Sequence, residues 1–81
     1  MKLIYLNRWG LVFHAILTTV TEEEDRVLAS RVCMSLADAR RLIEGWQVQH
    51  GIAAQDIRDN SRLDLNELLA GIETDFRPTN N

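Results

Sequence analysis

Cysteine is nearly absent from this 81-residue chain: Cys33 stands alone, which excludes an intrachain disulfide and leaves nothing that points to an oxidising compartment. A cytoplasmic location is therefore expected. Histidine is almost as scarce. His14 and His50 stand far from each other and from Cys33, with no C-x-x-C, H-x-x-x-H or H-E-x-x-H spacing, so no metal and no other cofactor is expected. The four glycines lie at positions 10, 45, 51 and 71, too far apart for a loop that cradles phosphates. One proline and a 46% share of hydrophobic residues exclude a low-complexity or disordered chain. Long apolar runs are missing too: residues 9–20 fall well short of the roughly 20 needed to span a bilayer, and His14 interrupts them. Neither membrane insertion nor secretion is expected.

What remains is a chain of ordinary globular composition, sized for one domain over residues 1–76 with a flexible tail over 77–81. A domain this small hides only about 60% of its unfolded surface, so its stability margin is narrow and homodimerisation is an available route to more. The net charge of −3 conceals blocks. Residues 1–21 carry Lys2 and Arg8 and no acid, whereas Glu22, Glu23, Glu24 and Asp25 follow without a base. Residues 26–41 then hold Arg26, Arg31, Arg40 and Arg41 against Asp38, and acids dominate from residue 42 onward. An acidic total disfavours direct nucleic-acid binding, which needs a clustered basic face, and suits a protein partner with a basic surface.

Residues 2–6 and 11–20 are rich in Ile, Val, Phe, Tyr and Thr with Gly10 between them, which reads as two strands. Because residues 11–20 are almost continuously apolar, a helix over 10–20 stays open as an alternative. Residues 26–34 alternate, so that Val27, Ala29, Arg31 and Cys33 face one way and Leu28, Ser30, Val32 and Met34 the other. Pairing of 11–20 with 26–34 as a hairpin is expected. Ser35 is a helix N-cap, with Asp38 placed in the first turn where negative charge is favourable. Leu36, Ala39, Leu42, Ile43 and Trp46 form one stripe at helical spacing, and Gly51 after His50 ends the helix. Asp64 and Glu67 repeat the capping pattern ahead of Leu65, Leu68, Leu69, Ile72 and Phe76, which predicts a second helix over about 65–75. Between the two, residues 53–59 read as a short helix in preference to a strand over 55–58. The fold class is α+β: an N-terminal antiparallel hairpin or small sheet packed against two or three helices.

No arrangement of residues marks a catalytic centre. Cys33 lies among apolar neighbours, with no adjacent base to activate it as a nucleophile. The twelve carboxylates lack the apolar surroundings that would tune one for proton transfer. No catalytic residue is assigned and the chain is not expected to be an enzyme. The candidates for contact with a partner are Glu22, Glu23, Glu24 and Asp25, together with Asp56, Asp59 and Asp64. Trp9, beside Arg8 and Gly10 at a strand end, serves either as core or as an exposed anchor of the kind that dominates interface energies. The alternative is a dimeric DNA-binding regulator of the helix-turn-helix type using Arg40 and Arg41, although the 65–75 segment offers Asn66 beside Glu67 and Glu73 where a recognition helix wants basic and amide side chains.

A small α+β domain with separated acidic and basic blocks is similar to the small phage-encoded inhibitor proteins, including the anti-CRISPR class. The resemblance covers size, charge balance and element order. It implies a non-enzymatic protein that occludes a surface on a larger nucleic-acid-handling complex through its acidic patches.

Overall fold

A computed structural model describes residues 1–65. Strand β1 (Lys2–Trp9) pairs antiparallel with β2 (Val12–Val20), and β2 pairs antiparallel with β3 (Asp25–Cys33). Helix α1 (Leu36–His50) and a single 3-10 turn (Ala54–Asp56) then carry the chain across the sheet to β4 (Ile57–Asp64), which pairs parallel with β1. The strand order is β3-β2-β1-β4. The architecture is thus a mixed four-stranded sheet with one helix among the described residues, and the expected hairpin of residues 11–20 with 26–34 is its β2–β3 pair. The helical alternative for 10–20 is not what forms. The second helix expected over 65–75, and the tail over 77–81, lie outside the described residues.

Local sequence explains each turn. Trp9 pairs with Val12, leaving Gly10 and Leu11 as a two-residue loop in which Gly10 has φ 62. A glycine with positive φ at the first loop position is the II′ geometry whose twist matches the flanking strands. Ser35 caps α1 as expected: in extended conformation (φ −141, ψ 154), its hydroxyl accepts the Asp38 N–H at 3.1 Å. Ser35→Ala should cost about 1 kcal/mol, measured by denaturant unfolding; an unchanged midpoint would show that the cap contributes nothing. Gly51, at φ 65, ends the helix, and both its own N–H and that of Ile52 donate to the Gln47 carbonyl.

Three expectations are corrected. Strand β1 continues past Leu6 to Trp9, because Asn7 and Arg8 find partners in His14 and Phe13. Residues 57–59 are strand and not helix, because the outer edge of β1 offers Ile57, Arg58 and Asp59 backbone partners at Ile4, Tyr5 and Leu6. The alternation in β3 is broken: Ala29 pairs with Leu17 but Val27 with Thr18, so Leu28 is an extra residue in a bulge. Ala29, Arg31 and Cys33 keep one face, and Val27 moves to the other.

The bulge leaves the core intact. Ile4 and Leu6 of β1, Ala15 and Leu17 of β2 and Cys33 of β3 pack against Ala39, Ile43, Trp46 and Ile52. Leu36 and Leu42, both expected on the buried stripe, are only partly buried at its margins. Helix α1 covers one side of the sheet, resting on β2, β3 and β1. The opposite side carries no element among the described residues.

Candidate protein-binding surfaces

The described residues offer four surfaces, and the residues singled out from sequence fall on different ones. Glu22, Glu23, Glu24 and Asp25 are all exposed and form the tip of the β2–β3 hairpin. The tip is ordered by Thr21, whose N–H donates to the Glu24 carbonyl at 2.9 Å. The Thr21 hydroxyl donates to the same carbonyl at 3.0 Å and accepts the Glu24 N–H at 3.1 Å. Four adjacent acids are thereby held on a defined turn with no base among the described residues paired to them.

Trp9 sits at the far end of the same strands, about 26 Å away at the usual rise of a strand. It is 36% exposed, so it belongs neither to the core nor to the acidic tip. Trp46, by contrast, is buried at 8% exposure on the helix stripe, as expected.

Asp56, Asp59 and Asp64 lie on the β4 side, at the opposite edge of the sheet from the acidic tip. The Asp56 N–H closes the 3-10 turn on the Ala53 carbonyl at 3.0 Å. Asp64 accepts the Gly10 N–H at 2.9 Å and pairs in register with Arg8, tying the end of β4 to the β1–β2 turn. Asp59 accepts the Ser61 N–H at 2.9 Å and the Ser61 hydroxyl at 2.6 Å. Partial burial pushes the Asp59 carboxyl up, but these two hydrogen bonds and the charges of Arg40 and Arg62 outweigh it, and the group titrates below its ordinary value of 3.8. The stabilisation it contributes is complete above the unfolded-state value and is lost as pH falls through the lower folded one. Asp59→Asn should therefore flatten the fall of the melting temperature below about pH 4; an acid limb identical to that of the parent chain would show that the Ser61 bonds are not formed. The carboxylates of Asp59 and Asp64 thus hold the fold, whereas those of the tip accept no hydrogen bond from the described residues.

Between α1 and β4 runs a groove of about 240 Å³, floored by Leu6, Ile43 and Ile57 and rimmed by Arg40, Glu44, Gln47 and Asp59. It arises because β4 extends the sheet beyond the reach of α1, and the helical reading of residues 53–59 concealed it. Its volume lies below the roughly 300 Å³ at which small-molecule pockets begin. Arg40 is thus turned toward a carboxylate of its own chain. Arg41 pairs with Asp38 at 3.7 Å, both side chains being well exposed, a contact of small energetic weight. A single 3-10 turn and then β4 follow α1, so residues 53–59 supply no second α-helix for a helix-turn-helix.

The fourth surface is the side of the sheet away from α1, which carries no element among the described residues, although Leu3 and Thr18 on it are buried, and which sequence reading missed apart from Trp9. Register places Leu3, Tyr5, Asn7 and Trp9 of β1 opposite Thr18, Ile16, His14 and Val12 of β2. Asn60 donates to Asn7 Oδ1 at 3.3 Å, and His14 Nε2 lies 2.5 Å from the Ser30 hydroxyl; on the two central strands the polar row of Asn7 and His14 lies between two apolar ones, while Ser30 and Arg58 stand level with Ile16 and Tyr5 on the outer strands. Strict alternation over 2–9 and 12–20 is the signal that would have found it, once both segments are taken as strands.

Cys33 is buried at 8% exposure, and no group of three or more His, Cys, Asp or Glu among the described residues is placed to hold a metal ion. No helix among them is long and apolar enough to cross a membrane. Comparison of the chain with protein-family models, with curated proteins and with solved structures finds no match.

Proposed function

We propose that this chain is a non-enzymatic protein-binding domain that inhibits a larger nucleic-acid-handling assembly of the anti-CRISPR kind by covering a basic surface on it. The observation that carries this is the β2–β3 tip, where Glu22, Glu23, Glu24 and Asp25 are exposed, paired with no base among the described residues and held on a turn ordered by Thr21. Preorganised acids of this kind meet arginine or lysine on a partner where a nucleic acid would otherwise place phosphates. They also speed encounter by steering. Asp56, Asp59 and Asp64 do not extend the patch, because they lie across the sheet, and the carboxylates of Asp59 and Asp64 are engaged within the fold. A DNA-binding role for Arg40 and Arg41 finds less support, since Arg41 pairs with Asp38 and Arg40 lines a groove with Asp59.

The test begins with capture of the partner on immobilised protein from a host that carries the chain, followed by kinetics on the purified pair. Replacing Glu22, Glu23, Glu24 and Asp25 together by lysine should slow association at least about tenfold at low salt while leaving the circular dichroism spectrum unchanged. The association rate of the parent should fall as salt rises. Identical rates for parent and variant would remove the acidic tip from the interface.

A further inference from the structure

We infer that Lys2 is an acylation site of this chain, with His50 as the base that frees its amine and an activated acyl donor as the co-substrate. Lys2 is the only lysine; the rest of the nine Lys and Arg residues are arginines, which keep their protons and accept no acyl group. The fold sets this one amine against an imidazole. Helix α1 begins just past the Cys33 end of β3, level with Phe13 and Arg8, and its 15 residues rise about 22 Å. The stretch of β1 from Arg8 back to Lys2 covers about 20 Å at the usual rise of a strand. The last residue of the helix therefore arrives over the first residue of the strand, and Lys2 Nζ lies 3.1 Å from His50 Nδ1.

A lysine ammonium has three donors and no acceptor, so Nδ1 turns its lone pair toward Nζ and the ring carries its proton on Nε2. That is the arrangement of an amine nucleophile beside a general base. Lys2 forms no ion pair among the described residues, so no carboxylate there holds the amine in its charged form. Both side chains are partly exposed, which admits a donor from solvent. The chain's other amine is placed differently: the Met1 ammonium donates to the Val20 carbonyl at 3.1 Å, an acceptor that takes up no proton.

In the reaction, His50 Nδ1 takes one proton from the ammonium and Nζ attacks the acyl carbon. The C–N bond forms as the bond from that carbon to the leaving group breaks, and a phosphate or thiolate departs with the electron pair. The second surplus proton on nitrogen passes to the leaving group, and His50 returns its own to water. A neutral amide replaces a cation on a chain whose net charge is already −3. Lys2 pairs with Thr19 and Thr19 with Arg26, so the positive charge is lost at the end of the sheet that carries Glu22, Glu23, Glu24 and Asp25. The chemistry is read on the isolated chain, so it stands or falls apart from the partner proposed above.

The full chain, incubated at mildly alkaline pH with acetyl phosphate and separately with an acetyl thioester, should gain an acetyl group at Lys2, located by peptide mass spectrometry with Met1 as internal reference. Reaction with either donor supports the inference, and the donor that reacts identifies the leaving group. His50→Gln leaves Nζ an amide oxygen to bond but no base, and should slow acetylation of Lys2 at least about tenfold with the Met1 rate unchanged. Lys2→Arg should carry label at Met1 alone. Unfolding the parent in urea parts the two side chains and should lower the ratio of Lys2 to Met1 labelling likewise, a check that does not require the variant to fold. Equal rates at Lys2 in the parent and in folded His50→Gln overturn the inference, as does label that reaches Met1 and never Lys2.

Discussion

Trp46→Ala is expected to leave a chain that no longer folds. The indole is 8% exposed on the inner stripe of α1, in one cluster with Ile4, Leu6, Ala15 and Leu17 of the sheet. Removing it discards the transfer energy of the largest side chain in the core and leaves a void that a single helix over a single sheet can close only by sliding. The cost of such a truncation is about 3–5 kcal/mol, which equals or exceeds the margin of a domain this size. The expected result is a flat near-ultraviolet spectrum and no cooperative thermal transition. Retention of a sharp transition within a few degrees of the parent would mean that α1 does not depend on Trp46 for its attachment.

Leu17→Ala and Ile16→Ala should give opposite results although the residues are neighbours on β2. Leu17 is 1% exposed and points into the cluster beneath α1. Its truncation should cost about 2–5 kcal/mol of folding free energy. Ile16 points to the side of the sheet that carries no described element and is only partly buried, so Ile16→Ala should lower stability by about 1 kcal/mol or less. Chemical denaturation of both variants measures the difference. Equal losses would contradict the assignment of the two faces.

The contrast between these neighbours also shows what could be read from sequence. Ser35 and Gly51 bracket α1 as expected because capping is decided within a few residues: a hydroxyl reaches an N–H three positions on, and a left-handed turn tolerates glycine. Trp46 was legible for the same reason, since helical spacing needs no knowledge of the partner. β4 was not. Its residues, Ile57–Asp64, are mostly charged or amide-bearing and show no strand preference. They become a strand because β1 presents a row of unpaired backbone groups after α1 has crossed the sheet, a long-range circumstance that no local pattern encodes. The bulge at Leu28 escaped notice likewise, because a single extra residue in a regular alternation is visible only against the strand it pairs with.

Of the candidate site, the acidic tip was legible as four consecutive acids between two strands. The grouping of Asp56, Asp59 and Asp64 with it was not supported by proximity, since the sheet separates them and Asp59 and Asp64 accept hydrogen bonds within the fold. The apolar and polar rows of the open side required knowing that β1 and β2 pair with Lys2 against Thr19 and Trp9 against Val12, a register set by the two-residue turn at Gly10.

The bulge in β3 has a bearing on how the molecule behaves in crowded solution. β3 is the last strand on its side of the sheet, nine residues long and exposed over most of its length. A straight strand of that kind would template the addition of another chain. The extra residue at Leu28 bends the row of free backbone groups, and Arg26 and Arg31 flank the bend with like charge. Neighbouring copies therefore cannot zip along this rim, and concentrated protein should stay free of fibres.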